Sequence, residues 1–406
     1  MKILILSAAY FPIISGGVRH VQSLSQELAK RGHQVDVCTI GQRDSPKYHE
    51  EEGLKIYAFE GFFQKVPLVF KDPALKFHPP AQDPLITKEL RRVIEEEKPD
   101  ILHAHGWIVY SVLPLKKELK IPMVVTLHDY GFICPTRILM NKNVVCDKYV
   151  SSSCIVCGKS LYGFIKSLAA YYGVKRNKSK LESVDKFIAV SSFVKEAHSK
   201  ALRLSDEDIA MIPNFYAAEA DAEEEKAVNL PEDFILFVGF ITPFKGVNVL
   251  IEAYQKLDTE TKLVLIGAKD PDYHYKSTEN ILVIENAPHS VVMQAMSTCK
   301  FAVFPSIWPD PAPTVAFEAM SQKRTVIASD IGGLKDIVVQ GETGILVPAN
   351  NPDKLGEAMD YLLERSETAS EMGERGYDRY MKTYTSDVVV PMIINIYENL
   401  IRSRGA

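Results

Sequence analysis

The chain is written as short apolar runs separated by amphipathic stretches, and this rhythm stops once and then restarts. In the first half the runs are Lys2–Ser7, Gln34–Thr39, Leu54–Phe59, Asp100–Ala104, Met123–Thr126, Lys186–Val190 and Asp208–Ile212. Each has the length of a strand rather than of a core helix. Between the first two, Gly17–Arg31 sets Val18, Val21, Leu24 and Leu28 on one helical face, and Gly32-His33 supplies the stop. Such alternation predicts a parallel sheet covered by helices on both faces. Segment 216–232 is acidic and without core periodicity, so it reads as a linker. The strand pattern then resumes at Phe234–Val238, Lys262–Ile266, Ile281–Ile284, Phe301–Phe304, Thr325–Ala328 and Gly344–Val347. Helical patterns fall between them at Gly246–Lys256, Ser290–Thr298, Thr314–Gln322 and Pro352–Glu364.

A chain of 406 residues is too long for one ordinary core. The expectation is α/β, with two Rossmann-like doubly wound domains at 1–215 and 233–384, facing each other across a cleft. No run reaches bilayer-spanning length, and Met1–Ser7 reads as a first strand rather than a signal peptide, so a cytoplasmic setting is expected. A net charge of −5 argues against nucleic acid as a partner.

Chemistry concentrates after the run Phe301–Phe304. The stretch Trp308-Pro309-Asp310-Pro311-Ala312-Pro313-Thr314-Val315-Ala316-Phe317-Glu318 puts Asp310 on a turn at the carboxyl end of a strand and Glu318 in the following helix. A helix start offers free N–H groups and the positive end of a dipole, which suits phosphate. Two carboxylates flanking such a start suit a ligand with both phosphate and hydroxyls. Pro311 and Pro313 lack an N–H, which leaves Ala312, Thr314 and Val315 as backbone donors. A second loop, Phe237-Val238-Gly239-Phe240-Ile241-Thr242-Pro243-Phe244-Lys245-Gly246, brings one cation, Lys245, to the end of another strand. In the first half, Ser15-Gly16-Gly17-Val18 joins the first strand to the first helix, where glycine lets backbone approach a ligand. Ile101-Leu102-His103-Ala104-His105-Gly106-Trp107 ends another strand; residues two apart share a face, so one histidine packs while the other sits at the tip. His128-Asp129 closes the next.

These segments together resemble the family 4 retaining glycosyltransferases of GT-B fold. Asp310 and Glu318 are similar to that family's acid-x7-acid motif, in which the first acid is usually Glu. The resemblance implies transfer of a sugar from a UDP-, GDP- or ADP-sugar donor to a hydroxyl of a saccharide or lipid-linked acceptor, with retention and with no catalytic cofactor. It assigns Glu318 to the donor ribose, Asp310 to the sugar hydroxyls and His105 to the sugar and acceptor. The diphosphate falls to Lys245 and the Gly16-Gly17 backbone. Where the family carries Gly-Arg, this chain has Gly239-Phe240, so one positive charge is missing. A nucleotide-sugar epimerase of the same fold, or a catalytically impaired binding subunit, stays open beside the transferase. The family also implies that the last stretch, 385–406, crosses back to the first domain.

Two features stand outside this scheme. Cys134, Cys146, Cys154 and Cys157 cluster in a segment, 131–160, long enough to need tethering. A structural tetrathiolate zinc site, disulfides or free thiols each fit the pattern, and a zinc held by four thiolates would have no open position for catalysis. A Cys-rich insert here resembles a subgroup of the same family. Leu161–Lys180 sets aromatic and aliphatic residues beside a basic run. It reads either as a peripheral contact with the inner membrane face or as a packed helix with a solvated basic end.

Overall fold

Strands buried on both faces dominate the computed structural model, which describes all residues except 12, 14, 43–45, 66–77, 142–143, 218–227, 271–272, 275–277 and 406. In chain order the elements of the first half are β1 (Lys2–Ser7), α1 (Gly16–Lys30), β2 (Gln34–Ile40), β3 (Tyr48–Glu51), β4 (Leu54–Phe59), α2 (Pro84–Glu97), β5 (Ile101–His105), α3 (Val109–Leu119) and β6 (Met123–Leu127). There follow β7 (Met140–Asn141), β8 (Val144–Val145), α4 (Ser153–Tyr162), α5 (Phe164–Asn177), β9 (Lys186–Ala189), α6 (Ser192–Leu202) and β10 (Ile209–Met211). The second half comprises β11 (Phe234–Val238), α7 (Val247–Tyr254), β12 (Lys262–Ile266), β13 (Ile281–Ile284), α8 (His289–Thr298), β14 (Phe301–Phe304) and α9 (Thr314–Ser321). It closes with β15 (Val326–Ser329), α10 (Leu334–Ile337), β16 (Gly344–Val347), α11 (Pro352–Glu364), α12 (Ser366–Thr383) and α13 (Ser386–Gly405).

The chain divides into two units, Met1–Pro213 with the segment from Val389 onward, and Asn214–Val388. The first unit is built on one sheet of order β10-β9-β6-β5-β1-β2-β4-β3. Its pairings are parallel except that β3 runs antiparallel to β4. Sequence patterning missed β3 because Tyr-His-Glu-Glu is too polar to look like a strand. As an edge strand it needs no apolar face, and its charges discourage further pairing. The second unit holds an all-parallel sheet of order β13-β12-β11-β14-β15-β16. Helix starts are fixed locally: Ser15 Oγ accepts from the Val18 N–H, and Asp83 accepts from the Leu85 and Ile86 N–H groups ahead of Pro84.

In both sheets the chain begins in the middle and winds outward in two directions, so neighbouring strands send their following loops to opposite faces. The reversal lies between β1 and β5 in the first sheet and between β11 and β14 in the second. Such a point leaves a crevice at the carboxyl ends of the strands. The predicted linker has its centre, 218–227, outside the described residues. Tyr216 at its start belongs to the second unit, donating its N–H to the Tyr384 carbonyl at 3.0 Å and accepting from Tyr380 Oη at 3.0 Å.

Close backbone approach at the second crevice depends on glycine. Gly246, at φ +74°, ends the turn before α7, so the helix begins one residue later than predicted; a Cβ there would sit 1.8 Å from the Pro305 carbonyl oxygen. Gly267, at φ +153°, would place a Cβ 1.9 Å from the Gly239 carbonyl oxygen. Gly246→Ala is expected to cost about 3 kcal/mol, from left-handed backbone strain and displacement of the Pro305 loop. Denaturant unfolding with a midpoint equal to the unmodified protein would refute this packing.

Candidate active site

The crevice of the first sheet is a cavity of about 450 Å³ lined by the end of β1 (Ser7, Ala8), the start of α1 (Ser15, Gly17), the end of β5 (His105, Trp107) and residues after β6 (His128, Asp129), with Arg137. The two histidines of β5 divide their roles by alternation. His103 is fully buried and bonded on both ring nitrogens, through Nδ1 to Tyr397 Oη at 2.5 Å and through Nε2 to Thr126 Oγ1 at 2.7 Å. His105, at the strand tip, meets His128 Nε2 through Nδ1 at 2.9 Å, while its buried Nε2 makes no hydrogen bond. His20 of α1 packs edge-on against His128, ring centroids 5.1 Å apart.

Burial holds all four imidazoles neutral. It pushes His103 down to about 3 and His128 down to about 4, and it holds His105 and His20 well below the usual range, with neighbouring histidines adding to the effect. The one ion pair in the cavity wall is Asp129 with Arg137, whose Nε donates at 3.0 Å. Burial opposes the Asp129 charge, but Arg137 and the Gly131 N–H outweigh it and keep its carboxyl below the usual range. Arg137 also lies 5.4 Å over the Trp107 ring, and Trp107 Nε1 donates to the Gly131 carbonyl at 2.9 Å. Gly16 and Gly17 open α1 at this cavity, and a Cβ on Gly17 would touch His128 at 3.8 Å.

At the reversal of the second sheet, two loops are tied together. The Phe244 carbonyl accepts from the Ile307 N–H at 3.0 Å, so the turn carrying Lys245 lies against the loop carrying Asp310. Lys245 Nζ forms a salt bridge with Asp310 Oδ2 and lies 5.5 Å over the Trp308 ring. Asp310 is 6% exposed, and Glu318, one turn into α9, is 4% exposed. Glu318 Oε1 stands 3.6 Å from His289 Nε2. No side chain caps α9, whose start leaves Ala312, Thr314 and Val315 half-buried. Phe240, in place of a cation, is 49% exposed. A third loop supports the arrangement: Gly333 donates its N–H to the Asp310 carbonyl at 2.7 Å, and a Cβ on it would sit 2.1 Å from the Pro311 carbonyl oxygen.

The structure thus brings Lys245 and Asp310 together, sets Glu318 beside the same helix start, and puts His105 and Gly17 at one cavity of the first unit, with Gly16 next to it as the first residue of α1. Sequence reasoning missed Arg137, which no local pattern distinguishes from other arginines. Gly333, which packs against the Pro311 carbonyl, belongs to a Gly-Gly pair at a strand end, a usable signal of close packing. Cys134, Cys146, Cys154 and Cys157 line one small cavity in the first unit. The structure records no disulfide among the six cysteines.

Two doubly wound units, each with functional side chains gathered at its own reversal point, define the GT-B class. Sucrose-phosphate synthase from Thermosynechococcus elongatus has the same fold, with a TM-score of 0.75 at 20% identity over 99% of this chain and 100% of that one. Anabaena HepE in complex with UDP-glucose superimposes with a TM-score of 0.69 at 15% identity over 98% of this chain and 100% of that one. Residues 14–219 match Glycosyltransferase Family 4 and residues 219–379 match glycosyl transferases group 1. An uncharacterized glycosyltransferase of Methanocaldococcus jannaschii is 28% identical over 98% of this chain and 99% of its own length. The chain belongs to the family 4 glycosyltransferases, whose general activity is sugar transfer.

The histidine cluster makes the first unit sensitive to acid. Each imidazole is neutral when folded but titrates near 6.5 when unfolded, so the unfolded chain binds more protons between pH 6.5 and about 4. Stability is therefore full above pH 6.5 and falls as pH drops through this window. Unfolding midpoints measured across it should show that slope, and His128→Asn should make it shallower; an unchanged slope would remove His128 from the account.

Proposed function

We propose that the protein transfers a sugar from a nucleotide-diphosphate-sugar donor to a hydroxyl of a saccharide or lipid-linked acceptor, with retention at the anomeric carbon. The observation that carries this reading is the Lys245–Asp310 pair beside the uncapped start of α9. An incoming diphosphate competes for Lys245 and frees the Asp310 carboxylate to accept from sugar hydroxyls. The Ala312, Thr314 and Val315 N–H groups orient the donor, and buried Glu318 accepts from its ribose. As the bond between the anomeric carbon and the diphosphate oxygen breaks, negative charge grows on the leaving group. Lys245 and the helix dipole stabilise it there without a metal in the chemical step.

The acceptor oxygen enters on the same face, and its proton passes to the departing diphosphate oxygen. His105, neutral, lining its cavity and with a buried Nε2 that makes no hydrogen bond, is the polar group offered to the sugar and acceptor. Front-face displacement fits better than a glycosyl-enzyme, because Asp310 is given to the sugar hydroxyls and no other side chain stands out as a covalent nucleophile. The missing cation at Phe240 has a neighbour: Lys269 pairs through its backbone with Ile241, which sets a second lysine beside the same loop. The exposure of Phe240 also favours one rival, a binding subunit without turnover.

Incubation with UDP-, GDP- and ADP-sugars, following release of free nucleotide diphosphate with and without acceptors, separates these readings. A transferase gives acceptor-stimulated release from one donor, an epimerase converts the donor alone, and a binding subunit releases nothing. Asp310→Asn should lower kcat/KM by about 100-fold or more, while Asp310→Glu should stay within about tenfold. Equal activity of the Asn variant and the unmodified protein would overturn the assignment.

An acceptor embedded in a bilayer is favoured by the surface of α4 and α5. From Lys148 to Leu181 the chain carries seven Lys or Arg and no acid, although its overall charge is −5. Val156, Phe164, Ile165 and Tyr172 are exposed in the same stretch, Ile165 at 81%. Apolar side chains amid unbalanced cations complement an anionic membrane surface, each cation contributing about 1 kcal/mol. No helix among the described residues is long and apolar enough to cross a membrane. The protein should sediment with phosphatidylglycerol vesicles and not with phosphatidylcholine vesicles. Ile165→Glu should weaken that binding; indifference to lipid charge would rule the surface out.

A further inference from the structure

The four clustered cysteines are unused by the sugar-transfer reading, and they converge although they are spread over 24 residues of sequence. Cys134 lies in the turn after β6, its N–H donated to the Tyr130 carbonyl at 2.7 Å. Cys146 directly follows β8, its N–H donated to the Leu139 carbonyl at 2.8 Å, which closes the β7–β8 hairpin behind it. Cys154 and Cys157 sit three apart on the first turns of α4, hence on one face. All four line a single cavity of about 20 Å³, together with Thr136, Met140, Asn141 and Ser153. That volume admits one water-sized occupant. Among the described residues no carboxylate and no imidazole lines it.

The surrounding backbone is strained for so little regular structure. Arg137, Leu139 and Val150 are non-glycine residues with φ of +67°, +54° and +50°. Each left-handed residue costs about 1 kcal/mol or more, and β7 and β8 contribute only two residues apiece to a sheet of their own.

We propose that Cys134, Cys146, Cys154 and Cys157 bind one structural zinc ion as a tetrathiolate. Cys134 from the turn after β6, Cys146 just beyond the β7–β8 hairpin and the Cys154, Cys157 pair on a helix start deliver four ligands from three directions, as a tetrahedral ion requires. Two disulfides would instead draw the sulfurs together pairwise and leave no reason for all four to ring one void. As the side chains stand, no group of three or more His, Cys, Asp or Glu among the described residues is placed to hold a metal ion. Cys134 Sγ rests on Thr136 Oγ1 at 3.1 Å, Cys146 Sγ on the Lys148 carbonyl at 3.8 Å and Cys157 Sγ on the Met140 carbonyl at 3.3 Å. Rotation of the side chains trades these weak contacts for sulfur–zinc bonds of about 2.3 Å, with release of the thiol protons to solvent.

The ion fills no catalytic position, because four thiolates complete its coordination. Its effect reaches the active-site cavity through the chain itself. Arg137 lies between Cys134 and Cys146 in sequence and forms part of that cavity's wall with Asp129 and Trp107. Anchoring both ends of the hairpin fixes that wall. The proposal stands independently of which donor or acceptor the enzyme uses.

Elemental analysis of the full purified chain should find about one zinc per molecule, falling below about one-tenth in Cys157→Ser and in Cys146→Ser. Replacement of zinc by cobalt should give thiolate-to-cobalt charge-transfer bands and the intense visible bands of a tetrahedral site. Chelation should lower the thermal unfolding midpoint of the unmodified protein, and zinc should restore it. Should the serine variants fail to fold, the metal content and cobalt spectrum of the unmodified chain decide alone. Metal-free protein whose midpoint ignores added zinc would overturn the proposal, as would an intact mass showing loss of hydrogens to disulfides.

Discussion

A parallel sheet cannot leave either face in water, and that constraint governs this molecule. β1, β6, β11 and β14 are apolar along nearly their whole length because helices cover them above and below. With both faces closed, the only place such a sheet can meet a ligand is at strand ends, and of these only where winding reverses are the loops parted. Both units obey this. His105 and Gly17 stand at the reversal beside β1, while Lys245 and Asp310 stand at the reversal beside β11. The chemistry sits where packing leaves room.

The two crevices manage polarity in different ways. In the first unit the buried groups are chiefly imidazoles kept uncharged by burial, with one ion pair, Asp129–Arg137, in the wall. Buried neutral histidines need partners more than counter-ions, and His103 shows this by bonding at both nitrogens. In the second unit the buried groups are charged, and Lys245 answers Asp310 directly. A neutral pocket suits a hydroxyl-bearing guest; a charged one suits a phosphate.

Much of this was readable before any coordinates. Runs such as Lys2–Ser7 and Phe234–Val238 coincide with strands because a strand buried on both faces must be apolar throughout. Asp310 and Glu318 announced themselves through spacing and through their resemblance to a known motif. What stayed hidden depended on distance in sequence. Arg137 acquires meaning only through Asp129 and Trp107, and Gly333 only through the Pro311 carbonyl. β3 was hidden for the opposite reason, since an edge strand carries no apolar signature.

The salt bridge at the second crevice also bears on departure. Lys245 and Asp310 satisfy each other in the resting protein, so no anion meets a bare cation there. Affinity at that point is a difference between two partners rather than the full attraction of one. The same exchange runs backwards when a spent anion leaves, because the aspartate stands ready to recapture the lysine. In the proposed transfer, a carboxylate placed there would act as a built-in eluent, keeping the site from clogging with its own product.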